Sequence, residues 1–237
     1  MLYRFRSRAY RVKCIIIQRG VFVRIISLGG SLINKNKINT TLLREFRDFI
    51  VKSKEKFLIV TGGGSVARNY QKALREITTK KSVFNEDLLG IKVTELNALF
   101  LSMLLNAQIV SLNNLKTKRL NKNLGRVLVS YGDKPGHTTD FVAVEFARIF
   151  GEKEVINMSR IKYVRKNSIV VKKITWKDYL SIIPKKHTPG VKVPFDVEAS
   201  KVAMRENIDV VFVNSVKSLR KYIRNGCLEG TIISNCF

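Results

Sequence analysis

Phe57-Leu-Ile-Val-Thr-Gly-Gly-Gly-Ser-Val-Ala-Arg68 runs from a short apolar segment through three glycines into a helical pattern. Phe57 to Thr61 has the length and composition of a buried strand. Ser65 to Ile77 has helical spacing, with Val66, Tyr70, Ala73, Leu74 and Ile77 along one stripe. A strand, a glycine turn and a helix in that order leave the first N–H groups of the helix without backbone partners, at the positive end of its dipole. Glycine lets an anion come close to them. Arg68 falls in the first turn of this helix, where a cation opposes the dipole unless an anionic group lies beside it. The same residues also make an ordinary tight strand-to-helix connection, and on this stretch alone both readings stand.

Two further glycine-centred segments flank it, Ser27-Leu-Gly-Gly-Ser31 and Pro135-Gly-His-Thr-Thr-Asp140. Val21 to Leu28 reads as a first strand that delivers Gly29 and Gly30. Asn39-Thr40-Thr41 offers caps for a helix over Leu42 to Ile50, and the strand at Phe57 follows. This βαβα opening predicts a parallel pair joined by a right-handed crossover. Both glycine turns then lie at the carboxyl edge of the sheet as neighbours, the edge where open α/β proteins bind ligands. Beyond them, a helix beginning at Asp87 and running through Leu88 to Leu105 is apolar nearly all round, which places it in the interior or at a subunit contact. Asp87 at its start is suited either to capping the helix or to accepting hydrogen bonds from sugar hydroxyls. Gln108 to Ser111 reads as a strand and Leu112 to Gly125 as a basic polar excursion. Arg126 to Ser130 reads as a firm strand, leading into the loop Gly132 to Asp140 and a helix over Phe141 to Phe150.

A chain of 237 residues has room for a sizeable core without disulfides or structural metal. Cys14, Cys227 and Cys236 have no metal-ligand spacing and read as ordinary thiols of a reducing cytosol. No apolar run is long and uninterrupted enough for a bilayer, and Gln18, Arg19 and Arg24 break up the apolar stretch Cys14 to Leu28, so the expectation is a cytoplasmic protein. The formal net charge of +26 attracts polyanions. The cations are dispersed, however, with no RNA-recognition signature and no basic stripe interleaved with stacking aromatics. Nucleic-acid binding is therefore expected to be incidental, and a Lys-, Asn- and Ile-rich composition accounts for the charge. The densest basic cluster lies in residues 1–21, which form either an ordered basic strand and tail or the product of an upstream start.

Taken in order, the strand-LGGS and strand-GGGxxAR segments, D-x-x-GI-x-x-T-x-x-NA from Asp87, and PGHTTD-x-VA from Pro135 resemble the amino-acid-kinase superfamily. The resemblance is to its archaeal-type uridylate kinase branch and covers roughly Phe22 to the C-terminus. PGHTTD after a strand is the most specific element. The isopentenyl phosphate kinases of the superfamily carry a histidine just after the second glycine turn, where this chain has Ser65-Val66-Ala67.

The resemblance implies an α/β fold, a three-layer αβα sandwich around a mostly parallel sheet. It further implies an N-terminal lobe (22–150) receiving UMP and a C-terminal lobe (151–237) receiving ATP with Mg2+. Gly63 then faces the UMP phosphate, Asp87 the ribose, and the loop Asp133, Lys134, Pro135, Gly136, His137, Thr138 and Thr139 the uracil and α-phosphate. Gly30 and Ser31 meet the terminal phosphate of ATP, with Gly64 and Arg68 at the junction. Asp140 organises the catalytic cations, and Arg68 joins it in catalysis. Phosphoryl transfer needs alignment and charge cancellation more than a protein nucleophile, so His137 is read as a loop hydrogen-bonding residue and His187 as surface or linker. No protein residues are assigned as metal ligands. Ser27 stands where many superfamily members have lysine, and the cation that compensates is unassigned.

In the C-terminal half, Gly190 to Lys201 follows the branch pattern G-x5-D-x-x-A-[AS]-K with Asp196 as its acid, and Gly230-Thr-Ile-Ile233 resembles the closing strand. The donor-nucleotide loop departs: Ile156-Asn-Met-Ser-Arg-Ile-Lys-Tyr-Val-Arg-Lys166 stands for T-N-V-D-G-V-Y-T-A-D-P. Asn157 alone matches, while Lys162 and Arg165 supply positive charge for ATP phosphates. Two alternatives follow, a UMP-binding protein with weak or lost kinase activity and a basic RNA-associated protein on the same fold. The resemblance also implies a homo-oligomer, a hexamer.

Overall fold

The computed structural model describes residues 22–116, 124–185 and 193–237. The basic segment 1–21, part of the polar excursion after Leu112, His187 and Gly190 lie outside the described residues. In chain order the elements are β1 (Val23–Leu28), α1 (Gly30–Ile33), α2 (Thr40–Lys52), β2 (Lys56–Thr61), α3 (Gly64–Ile77) and α4 (Val83–Leu105). Then come β3 (Gln108–Ile109), α5 (Leu112–Lys116), β4 (Val127–Ser130), α6 (Thr139–Phe150), β5 (Glu154–Met158), β6 (Val164–Lys166), β7 (Ile169–Val171) and β8 (Lys173–Thr175). The chain closes with α7 (Trp176–Ile182), α8 (Val197–Glu206), β9 (Asp209–Val213), α9 (Val216–Asn225) and β10 (Ile232–Ser234).

Eight strands form one sheet in the order β3-β4-β2-β1-β5-β9-β10-β8, and β6 and β7 pair as a separate antiparallel hairpin. From β3 to β9 every pairing is parallel; β10 runs antiparallel to β9, with β8 parallel to β10. Period-two alternation splits the strand side chains between two cores. Ile25, Leu58 and Val60 pack with Val142 and Phe146 of α6 and with Trp176, Tyr179 and Ala199 of α7 and α8. Ile26, Phe57 and Ile59 pack on the other face with Phe46 and Phe49 of α2, Ala98 and Leu101 of α4, and Leu219 of α9. The result is the expected three-layer αβα sandwich around a mostly parallel sheet.

Local chemistry explains most boundaries. The Asn39 side chain caps α2 by accepting from Leu42 N–H, Thr138 caps α6 through Phe141 N–H, and Asp196 caps α8 through Ala199 N–H. Gly151 and Gly226 end α6 and α9 in the left-handed conformation that glycine adopts readily.

The structure differs from the sequence-based expectations at three points. First, α4 starts at Val83, a turn earlier than expected, with Ser82 as its cap, so Asp87 lies within the helix. Second, α3 begins at Gly64, which puts Arg68 just past its first turn. Third, the stripe assigned to α3 is not its buried side. Gly64 and Ala67 are buried instead, while Tyr70 and Ile77 are exposed, because α3 packs mainly against α4 and α1. By length and composition α4 is apolar enough to cross a membrane, yet Val93, Ala98, Leu101 and Leu105 on one side of it are buried.

Candidate functional site

The glycine turns after β1 and β2 meet backbone to backbone. Gly62 N–H donates to Leu28 C=O at 2.9 Å, and a Cβ placed on Gly30 would lie 2.2 Å from Gly64 N and 2.4 Å from Gly62 O. Both positions therefore require glycine. Gly64 in addition has φ +68°, a conformation unfavourable to other residues. The α4 helix braces the turn: Asn97 Nδ2 donates to Gly62 C=O at 2.7 Å, and Thr61 Oγ1 donates to Thr94 C=O at 2.9 Å. Thr94 Oγ1 in turn accepts from Gly132 N–H at 3.0 Å, tying the loop after β4 to the same helix.

A single cleft opens beside these contacts, lined by Gly63, Gly64 and Arg68 at one end and Asp87, Gly90 and Thr94 along α4. Gly132 and the loop residues Gly136, His137, Thr138 and Thr139 close it. The unpartnered start of α3 faces this space, with Gly63 as a cap that offers no side-chain acceptor. Asp87 Oδ2 accepts from Gly136 N–H at 2.8 Å, so it links α4 to the loop instead of capping its own helix. Of the residues expected to hold UMP, Gly63, Asp87, Gly136, His137, Thr138 and Thr139 line the cleft. Asp133, Lys134 and Pro135 stand behind it: the Asp133 carboxylate is buried against His137, and Lys134 is exposed.

Beneath the glycine turns sits a polar cluster at the carboxyl ends of β1 and β5. Ser27 Oγ donates to Asp140 Oδ1 at 2.9 Å and Asn157 Nδ2 donates to the same oxygen at 3.2 Å. Asp140 is half-buried, with protein around most of its carboxylate. Desolvation raises its pKa to about 7, the nearby Asp196 carboxylate adds to the rise, and hydrogen bonds from Ser27 and the Asp196 backbone oppose it. Asp196 is buried and held through its neighbour, since the Tyr179 hydroxyl donates to Phe195 C=O at 2.8 Å and accepts from Phe195 N–H at 2.7 Å. Asn157 Oδ1 is buried with no hydrogen-bond partner.

The donor-side residues are less gathered. Gly30 and Ser31 begin α1 beside the Gly62–Gly64 turn, and Asn157 touches Asp140. Lys162 lies 3.5 Å from Glu229, and Arg165 donates to Ser168 C=O inside the β6–β7 hairpin. Ala67, Gln71, Gly90, Ile91 and Thr94, to which no role falls from the sequence, also line the cleft. For Gln71 the usable signal was its spacing from Gly64 and Arg68 on α3, which puts all of them over the cleft.

A family model described as "Amino acid kinase family" matches residues 23–214. The uridylate kinase of Thermoplasma acidophilum is 28% identical over 222 residues, covering 89% of this chain and 96% of that protein. The uridylate kinase of Methanococcus vannielii is 30% identical over 224 residues, covering 88% and 98%. Among solved structures, the uridylate kinase of Archaeoglobus fulgidus superposes with a TM-score of 0.73 at 26% identity, covering 90% of this chain and 99% of that one.

Proposed function

The chain belongs to the amino acid kinase family, and on that premise we propose that it is a UMP kinase that transfers the terminal phosphoryl group of ATP to UMP, yielding UDP and ADP. One observation carries this reading: two abutting glycine turns and the loop residues Gly136 to Thr139 enclose a cleft, and Asp140, next along the chain, is held by Ser27 at the end of β1. The uridylate kinases it is similar to align over nearly their whole length.

In this reading the UMP phosphate lies at Gly63 and the start of α3, the ribose at Asp87 and the base against the 132–139 loop, all within residues 22–150. ATP lies across residues 151–237, with its terminal phosphate at Gly30, Ser31 and Gly64. A phosphate oxygen of UMP attacks the terminal phosphorus of ATP as the bond to the ADP oxygen breaks. The N–H groups of the turns and Arg68 face the charge that spreads over the transferring group, and a rigid backbone contact holds the reactants in line without reorganisation.

Mg2+ is the cation proposed. The donors fit a hard ion: Asp140 has neutral hydrogen-bond donors around it, Asp196 is near, and the orphaned Asn157 Oδ1 adds a neutral oxygen. Among the described residues no three His, Cys, Asp or Glu side chains cluster, so phosphate and water oxygens complete any coordination shell. Bound with ATP, the ion neutralises charge on the phosphoryl group. Lys162 and Arg165 are proposed to meet ATP phosphates only after leaving Glu229 and the hairpin carbonyl.

The proposal extends to a cytoplasmic enzyme of pyrimidine nucleotide synthesis that works as a homo-oligomer, by family a hexamer. Support for self-association comes from α4, where Leu96, Leu99, Phe100 and Met103 form an exposed apolar stripe at helical spacing; Val83, Phe84 and Leu88 of the same helix and Tyr70 and Ile77 of α3 are exposed as well. Coupled turnover of UMP with ATP and Mg2+ tests the activity. ADP release above background supports it; UMP binding by calorimetry without ADP release would leave a binding protein in its place.

A further inference from the structure

Asp133 and His137 form a pair that phosphoryl transfer does not require. Both carboxylate oxygens of Asp133 face His137 Nδ1, at 2.9 and 3.2 Å, and the Asp133 side chain is 1% exposed. The imidazole packs on Phe141 at a tilt of 38° with ring centroids 4.1 Å apart, so its position is held from two sides. A carboxylate only accepts hydrogen bonds, so Nδ1 must carry the ring proton and Nε2 of the neutral ring is an acceptor. Nε2 takes no hydrogen bond among the described residues, and the ring lines the cleft.

Three other polar side chains of the cleft already make hydrogen bonds within the protein, and Thr139 also lines it. Thr94 Oγ1 donates to Ile91 C=O and accepts from Gly132, Thr138 Oγ1 accepts from Phe141 N–H, and Gln71 Nε2 donates to Glu86 C=O. With phosphate at the α3 end and ribose at Asp87, the base of a nucleotide reaches the wall that His137 forms.

We propose that His137, oriented by Asp133, selects uracil over cytosine by accepting the N3–H of the base at Nε2. This rests on the reading of the cleft as the UMP site. Uracil carries a hydrogen on N3, whereas cytosine N3 is a lone-pair acceptor and would meet Nε2 lone pair to lone pair. A site built around a required substrate N–H discriminates strongly against an analogue lacking it, because its own polar atom is left unpaired.

The test measures kcat/KM for UMP and for CMP, with calorimetric binding of both nucleotides, in the wild type and in His137→Ala and His137→Phe. The phenylalanine variant keeps an aromatic ring against Phe141 and removes the acceptor. In both variants kcat/KM for UMP is expected to fall about tenfold or more while that for CMP changes by less than about threefold, collapsing the preference. Parallel losses for the two nucleotides, or a preference unchanged within about twofold, would overturn the assignment to His137. Wild-type protein that neither binds UMP nor releases ADP would instead remove the kinase reading itself, and this inference with it.

Discussion

Replacing Asp140 with Asn should make the metal-free protein more stable at pH 8 while abolishing turnover. Burial and Asp196 raise the Asp140 pKa from 3.8 to about 7, so above neutrality the fold holds a carboxylate charge it disfavours. At about 1.4 kcal/mol per pKa unit the cost has a ceiling of about 4 kcal/mol. The residue is only half-buried, so solvent screens part of the charge and a gain of about 2 kcal/mol is expected. That corresponds to about 4–8 °C in Tm for a chain of this size. The asparagine Oδ1 can still accept from Ser27 and Asn157, so those two hydrogen bonds survive.

The pH dependence has a definite sign. Between about pH 4 and about pH 7 the native state keeps a proton that the unfolded chain has released, so wild-type stability falls as pH rises through that window and levels off above it. The advantage of the variant should be about a third of its full size at pH 5 and complete by pH 8. Urea unfolding at both pH values without divalent cations measures it. A stability gap equal at pH 5 and pH 8, or a variant less stable than the wild type at pH 8, would refute the electrostatic reasoning.

Three other substitutions address other parts of the site. Gly30→Ala forces a Cβ to within 2.2 Å of Gly64 N, and should cost about 2–3 kcal/mol in urea unfolding along with most activity; a loss under about 0.5 kcal/mol would mean the turns do not need to touch. Arg68→Ala removes an exposed side chain at the cleft, so stability should stay within about 0.5 kcal/mol while kcat/KM falls about 100-fold, and unimpaired turnover would exclude it from the phosphate site. The double variant Leu99→Glu with Met103→Glu places charge on the exposed stripe of α4, and light scattering should show a smaller assembly than the wild type with the fold retained. An unchanged assembly mass would move the subunit contact elsewhere.

The fold was legible because its signals are local. The apolar runs at Val23–Leu28 and Phe57–Thr61, each ending in glycines, and the capping residues Asn39 and Thr138 act within a few residues of themselves. The wrong face assigned to α3 shows the limit of periodicity. An apolar stripe records that something covers it, but α3 packs mainly against α4 and α1, so the small residues Gly64 and Ala67 turn inward and Tyr70 outward. Asp87 was ambiguous for a similar reason: only Ser82, one turn earlier, makes it a mid-helix residue free to meet Gly136.

By itself the sequence determined which residues could carry the chemistry, since backbone conformation, capping and strand length are set by neighbours along the chain. The two glycine turns were expected as neighbours from the βαβα pattern, but tertiary structure decided which atoms touch. The contact of Gly30 with Gly62 and Gly64, the Ser27–Asp140–Asn157 cluster and the brace of Asn97 on Gly62 join residues far apart in the chain. So does the raised pKa of Asp140, because desolvation and the field of Asp196 depend on what surrounds a carboxyl group in space, and no spacing along the chain encodes them.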